Sequence, residues 1–330
     1  MDRVMNTKRR FILIIAGIFL LTGLLSVSNP GSSIFTHAFG TGKGMPTTEK
    51  PVWHTERIEV DVPAYINAGT FGGSITINSH DRNEIEIRIH VRKDGSWLSD
   101  GDEAPVDIEI NDAPNGVEIK VEPKRAGGLF RSKPSVSVSY DILVPLWTEV
   151  RASTSGGSVS AFDILHNVSL ITSGGPVTVE RVTGEVLART SGGPITARDI
   201  TGDLTARTSG GGIRITDAKG SLVARTSGGP IRLDGVSGAI EARTSGGPID
   251  ARILHLENHL TLSTSGGSIK AIIPRGQGLD IRASGSSVRS RLDDLTGDVS
   301  PRSVQGSVHG GGIPVELRTT GGSVQIEYVD

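Results

Sequence analysis

Cysteine is absent from all 330 residues, so neither a disulfide framework nor a thiol-linked lipid anchor is available, and the fold must rest on its core and backbone ladders. Aromatic residues make up only 4%, and Trp53, Trp97 and Trp147 all fall in the first half of the chain. A carbohydrate-active enzyme would need aromatic platforms and a groove with clustered acids or a general base, and that supply is thin. Long helical stretches are excluded over the second half, where glycine recurs too often for a ten-residue helix to survive. An excess of basic residues is missing as well. The formal charge is −2, and −5 without the first 28 residues, which does not suggest nucleic-acid binding.

What is present is a repeat. Thr-Ser-Gly-Gly begins at Thr154, Thr172, Thr190, Thr208, Thr226 and Thr244, each 18 residues after the last, and again at Thr264. A constant period makes each copy one structural unit stacked on its neighbour, the signature of a solenoid. Within a unit the apolar positions form columns: Val159, Val177, Ile195, Ile213, Ile231 and Ile249, then Ala161, Val179, Ala197, Ile215, Leu233 and Ala251 two residues later. A second alternating run carries Val168, Val186, Leu204, Leu222 and Ile240, followed by Leu170, Ala188, Ala206, Ala224 and Ala242. Period-two alternation in two runs predicts two strands per 18-residue coil.

Two kinds of corner separate the strands, the Gly-Gly pair, mostly followed by proline, and Gly184, Gly202, Gly220 or Gly238. Both are expected to exploit positive φ. The threonine that opens each repeat is expected to face inward, its methyl in the core and its hydroxyl on the adjacent Gly-Gly backbone. A hexapeptide-repeat coil fails the pattern, because stepping six residues from Ile195 meets Thr201 and Arg207. The expected fold is therefore all-β, a single-stranded β-solenoid (β-helix) of about ten coils rising roughly 4.8 Å each. Right-handedness follows from the usual hand of parallel crossovers.

The chain divides into four stretches. Residues 1–28, with Arg3, Lys8, Arg9 and Arg10 before an uncharged run from Phe11 to Val27, read as a signal peptide or membrane anchor. Residues 29–55 read as a flexible linker. Residues 56–153 read as wider first coils and an N-terminal cap, or as a separate β-sandwich with surface loops at 96–104 and 123–134. Residues 154–330 form the solenoid, whose final strand, ending Tyr328-Val329-Asp330, reads as uncapped and open to pairing with another copy.

The repeated TSGGPI, the apolar export segment before it and the strand-rich N-terminal portion resemble the bacterial "putative adhesin" family of β-strand-repeat proteins of unknown function, related to the head-domain "putative" auto-transporter adhesins. The resemblance covers residues from about Glu56 to the end. It implies an exported β-solenoid at the cell envelope, membrane-anchored or secreted, and transfers no catalytic residues and no cofactor.

Candidate chemistry is sparse. Arg189, Arg207, Arg225 and Arg243 occupy one outward column, so four guanidinium groups line one face, suited to an anionic envelope polymer such as an acidic glycan or to a surface protein. The bland alternative is a solvated ladder neutralised by Glu185, Asp203 and Glu241. Asp163, Asp199 and Asp217 share another column, interrupted by Arg181 and Gly235, where local backbone bonding at a corner outweighs a calcium site. His255 and His259 lie in a two-residue insertion and lack the HExxH order of a zinc site. The composite expectation is a non-catalytic envelope scaffold or adhesin, with a β-helix enzyme or an envelope-stress regulator as the other classes.

Overall fold

The computed structural model describes residues 50–124 and 135–329. Residues 1–28, read from the sequence as a signal peptide or membrane anchor, most of the suggested linker and residues 125–134 of the second suggested loop lie outside the described residues. All regular secondary structure in the described residues is β-strand, and the chain folds as a β-solenoid.

Strands pair in parallel at a constant offset of one repeat. Val177–Thr183 lies beside Ile195–Thr201 with Val177 opposite Ile195, and Val186–Arg189 lies beside Leu204–Arg207 with Val186 opposite Leu204. Each coil thus contributes to two ladders, and every apolar column read from the repeat is buried between them. In the coils Ile213–Arg225 and Ile231–Arg243 a single 13-residue strand runs through both legs.

The structure adds a third inward column, Ile164, Val182, Ile200, Ala218 and Val236, all buried. The residue before each stands at positive φ: Asp163 (61°), Arg181 (54°), Asp199 (53°), Asp217 (52°) and Gly235 (69°). This left-handed residue shifts the alternation by one, so that two outward residues precede the next inward one. The aspartates are there for backbone reasons, since Asp and Gly tolerate this region best. Arg181 is the costly exception, and its guanidinium grips Asp163 of the preceding coil, Nε to Oδ1 at 2.6 Å and Nη2 to Oδ2 at 2.9 Å.

The corners correct the role expected of glycine. The second glycine of each Thr-Ser-Gly-Gly does not have a positive φ; a Cβ at Gly193 would lie 2.0 Å from the Gly175 carbonyl oxygen, and equivalent positions are as close. Glycine is required there because backbones of adjacent coils nearly touch. Positive φ does govern the other corner, as at Gly202 (131°). The threonine column behaves as the sequence suggests. Thr208 Oγ1 donates to the Gly193 carbonyl of the preceding coil at 2.9 Å and accepts the Gly211 N–H of its own coil at 3.3 Å, and the arrangement recurs from Thr172 to Thr319. Each buried hydroxyl is thereby satisfied as donor and acceptor.

Both ends depart from sequence order. Ala64–Thr70 lies between Gly116–Pro123 and Thr148–Thr154, and Gly72–His80 lies between Val136–Pro145 and Val159–Ile164. Beyond them, His54–Glu59, Glu84–Lys93 and Val106–Ala113 close the N-terminal end with antiparallel pairings. At the other end Ile313–Thr319 inserts between Ile249–Thr264 and Leu279–Ser284, while Ser323–Tyr328 inserts between Ile269–Ile273 and Ser287–Arg291. The last strand is therefore flanked on both sides, contrary to the uncapped edge expected from the sequence. The outer edge is instead the hairpin of Thr296–Ser300 and Ser303–Val308. Tyr328 is fastened further by a hydrogen bond to Asp294 and by the Arg275 guanidinium 4.4 Å from its ring centroid.

Candidate functional site

The four arginines of the sequence column sit at the ends of the shorter legs, one per coil, and the ladder places them in register: Arg189 opposite Arg207, Arg207 opposite Arg225, Arg225 opposite Arg243. Adjacent strands separate them by about 4.8 Å. All four are exposed because the buried Ala188, Ala206, Ala224 and Ala242 precede them, and alternation sends the next side chain outward.

Their electrostatics are uneven. Glu241, only 18% exposed, accepts from Arg225 Nη2 at 2.7 Å and pairs with Arg243 Nε at 2.8 Å. Arg189 and Arg207 make no ion pair among the described residues. Of the three carboxylates expected to neutralise the column, only Glu241 does so; Asp203 instead accepts the Ser221 N–H at 3.0 Å, bracing a corner. The stripe therefore has a balanced half and an uncompensated half. Directly opposed like charges in a ladder are unfavourable, and a bound anion would relieve that repulsion.

The remaining candidates are not gathered into a site. Asp163 is occupied by Arg181, and its carboxyl is held below the ordinary range by that hydrogen bond. His255 and His259 lie on the continuous strand Ile249–Thr264, whose register shifts between Gly238 and Ile240 to absorb the insertion. No group of three or more His, Asp or Glu side chains is placed to hold a metal among the described residues. No helix among them is long and apolar enough to cross a membrane.

The cap holds titratable clusters that the sequence reading did not single out. Glu86, 2% exposed, is met by Arg57 Nε at 2.8 Å and Arg88 Nη2 at 2.6 Å, and these contacts lower its pKa against the opposing effect of burial. His90 is buried on the same strand. Its Nε2 is 3.0 Å from Asp141 and its Nδ1 is 2.9 Å from the Pro51 carbonyl, and these two contacts, Asp141 first, raise its pKa despite burial. Alternating Glu-x-Arg-x-His across residues 86–90 was the available signal, hidden because a charged strand face reads as solvated surface. Trp147 is 55% exposed at a cap corner.

A glycine-cornered parallel β-solenoid with closed ends and charged ladders on its outer faces is the class that this architecture defines. The family model described as Toastrack DUF4097 matches residues 57–327, and the chain belongs to that family. That membership is to a repeat family without an assigned activity, broader than the adhesin family named from the TSGGPI motif. No curated protein matches the chain. Among solved structures, one of "a putative cell adhesion protein" from Clostridium sporogenes is similar at 9% identity and a TM-score of 0.22, covering 84% of this chain and 99% of that one. Likeness that loose carries neither fold nor function across.

Proposed function

We propose that this chain is an exported, envelope-associated, non-catalytic scaffold that holds a polyanionic envelope polymer along the ladder of Arg189, Arg207, Arg225 and Arg243. The observation that carries the reading is the in-register stacking of four exposed guanidinium groups, two of them without a carboxylate partner among the described residues. A polymer with regularly spaced phosphate or carboxylate groups meets such a ladder with many weak, charge-assisted hydrogen bonds, and their sum gives avidity without a deep pocket. Membership in the Toastrack repeat family is compatible with a scaffold. Location at the envelope rests on the apolar Phe11–Val27 segment and its basic flank.

The test is binding of the full-length chain to immobilised polyanions at low and moderate salt, beside the quadruple variant Arg189→Gln, Arg207→Gln, Arg225→Gln, Arg243→Gln. The variant is expected to keep its β-type circular dichroism, weaken binding and lose much of the salt dependence. Unchanged binding by the variant would reduce the stripe to solvated surface.

A further inference from the structure

The outward face of the shorter legs carries more than its arginines. Each coil presents three outward positions there, one just after the corner, one midway and one at the end of the leg, and the last is the arginine column. In one coil these are Glu185, Leu187 and Arg189, and in the next Asp203, Thr205 and Arg207. Ser221, Val223 and Arg225 follow, then Ala239, Glu241 and Arg243. The coil before them shows Asn167, Ser169 and Ile171, the last 41% exposed. At its centre the face therefore has acids along one margin, arginines along the other, and a neutral midline of Ser169, Leu187, Thr205 and Val223 between them.

Glu185 and Asp203 are exposed and make no ion pair among the described residues, and neither do Arg189 and Arg207. Within one chain the opposite charges are kept apart. Glu185 and Arg189 are four residues apart on an extended leg, about 13 Å, with Leu187 between them, and the ladder sets acid beside acid and arginine beside arginine. A second copy resolves both problems. If two such faces meet about a twofold axis parallel to the rod, each margin lies over the opposite margin at the same level: Glu185 over Arg189 of the second copy, Asp203 over Arg207, and the reverse. The midline then meets itself, Leu187 on Leu187 and Val223 on Val223. A twofold axis across the rod would set arginine on arginine, so charge selects the parallel arrangement. Where the midline is itself charged, the charge is already answered within the chain: Arg151 is held by Glu149 at 2.8 Å, and Glu241 by Arg225 and Arg243.

We infer that this face is a self-recognition surface, on which two copies pair side by side and in parallel, shielding the arginine ladder until a polyanion displaces the second copy. The inference rests on the reading of the ladder as a polymer site, and gives that site a regulator. About six coils by one leg make a patch on the order of 30 by 15 Å, nearer the weak, transient class of interface than the permanent one. A displaceable partner requires that. The two uncompensated arginines are then the ones that change hands: they meet Glu185 and Asp203 of the second copy in the dimer and the anions of the polymer in the complex.

The experiment is sedimentation velocity of the full-length chain in mild detergent over a concentration series. Three proteins are compared: wild type, the variant Glu185→Arg, Asp203→Arg, and the variant Arg189→Glu, Arg207→Glu. Wild type is expected to pass from monomer to dimer as concentration rises. Each variant sets like charges over one another and is expected to associate at least about tenfold more weakly, with unchanged circular dichroism, whereas an equimolar mixture of the two is expected to dimerise again. Short-chain inorganic polyphosphate added to wild type is expected to convert dimer to monomer. Wild type that stays monomeric, variants that dimerise as wild type does, or a mixture no more dimeric than its components overturns the inference and leaves the polymer reading untouched. Polyphosphate that binds while the dimer persists overturns the shielding. If the mixture is rescued, but neither wild type nor the Glu185→Arg, Asp203→Arg chain with its exposed arginines binds polyphosphate, the polymer reading fails and regulation fails with it, while the self-pairing face stands.

Discussion

Replacing Gly193 by alanine tests the claim that glycine at this corner answers to the spacing between coils. The new Cβ would sit 2.0 Å from the Gly175 carbonyl oxygen, 2.4 Å from its carbon and 2.8 Å from the Pro176 nitrogen. Ordinary contact begins near 3.4 Å, so the two backbones must part by more than an ångström, and neither is a flexible side chain that yields. The displaced backbone also carries the Thr208 to Gly193 and Gly193 to Thr190 hydrogen bonds, at 2.9 and 3.2 Å. Overpacking costs about 1–3 kcal/mol and each of the two weakened hydrogen bonds about 0.5–1.5 kcal/mol, so a loss of about 2–6 kcal/mol is expected. Gly192 next to it is the control. Its φ is not positive, and its Cβ would meet the Gly174 oxygen at 3.5 Å, an ordinary contact. Gly192→Ala should therefore change stability by less than about 1 kcal/mol. Urea denaturation followed by far-ultraviolet circular dichroism separates the two, with amide hydrogen exchange localising the damage to coils flanking Gly193. Equal midpoints for Gly193→Ala and Gly192→Ala would refute the close-approach argument.

Thr208→Val keeps the shape but strands the Gly193 carbonyl and the Gly211 N–H, and should cost about 2 kcal/mol in the same denaturation assay, more than Thr208→Ser, which loses only a methyl group. Ile213→Asp places an unpaired carboxylate in the narrow interior and should abolish the cooperative transition in thermal melts. Asp199, at φ 53°, should accept glycine without loss, whereas Asp199→Val should cost about 1–2 kcal/mol by equilibrium unfolding. The His90–Asp141 pair gives a pH dependence of defined sign. The raised His90 pKa contributes stability in full below the ordinary histidine value near 6.5 and loses it as pH rises through the folded value, while the lowered Asp141 pKa contributes above about 4 and loses it on acidification. Thermal melts should therefore decline from pH 6 to pH 9, and His90→Gln should flatten that decline.

Period 18 made most of the fold legible, because each core column repeats one residue type at one offset, and in-register stacking turns sequence periodicity directly into a ladder. The arginine stripe was legible for the same reason. The third core column escaped because the left-handed residue at Asp199 breaks the alternation that identifies a strand; the column Ile164, Val182, Ile200, Ala218 and Val236 was nonetheless periodic. The inserted ends left no trace at all. Pairing Ile313–Thr319 with Ile249–Thr264 spans an irregular stretch, and nothing local distinguishes an interior strand from a terminal one.

The inserted C-terminal strands bear on how the rod is made. Synthesis delivers the chain from its N-terminus, and a solenoid in sequence order would add coils as they emerge. Here Leu279–Ser284 has no parallel neighbour until Ile313–Thr319 arrives, and Leu260 to Thr264 keep an open edge until the same moment. A chain cut short after residue 312 would expose that edge to any passing strand. Closure thus waits on a distant segment: only a chain extended through Ile313–Thr319 can cover the edge that Leu260 to Thr264 present.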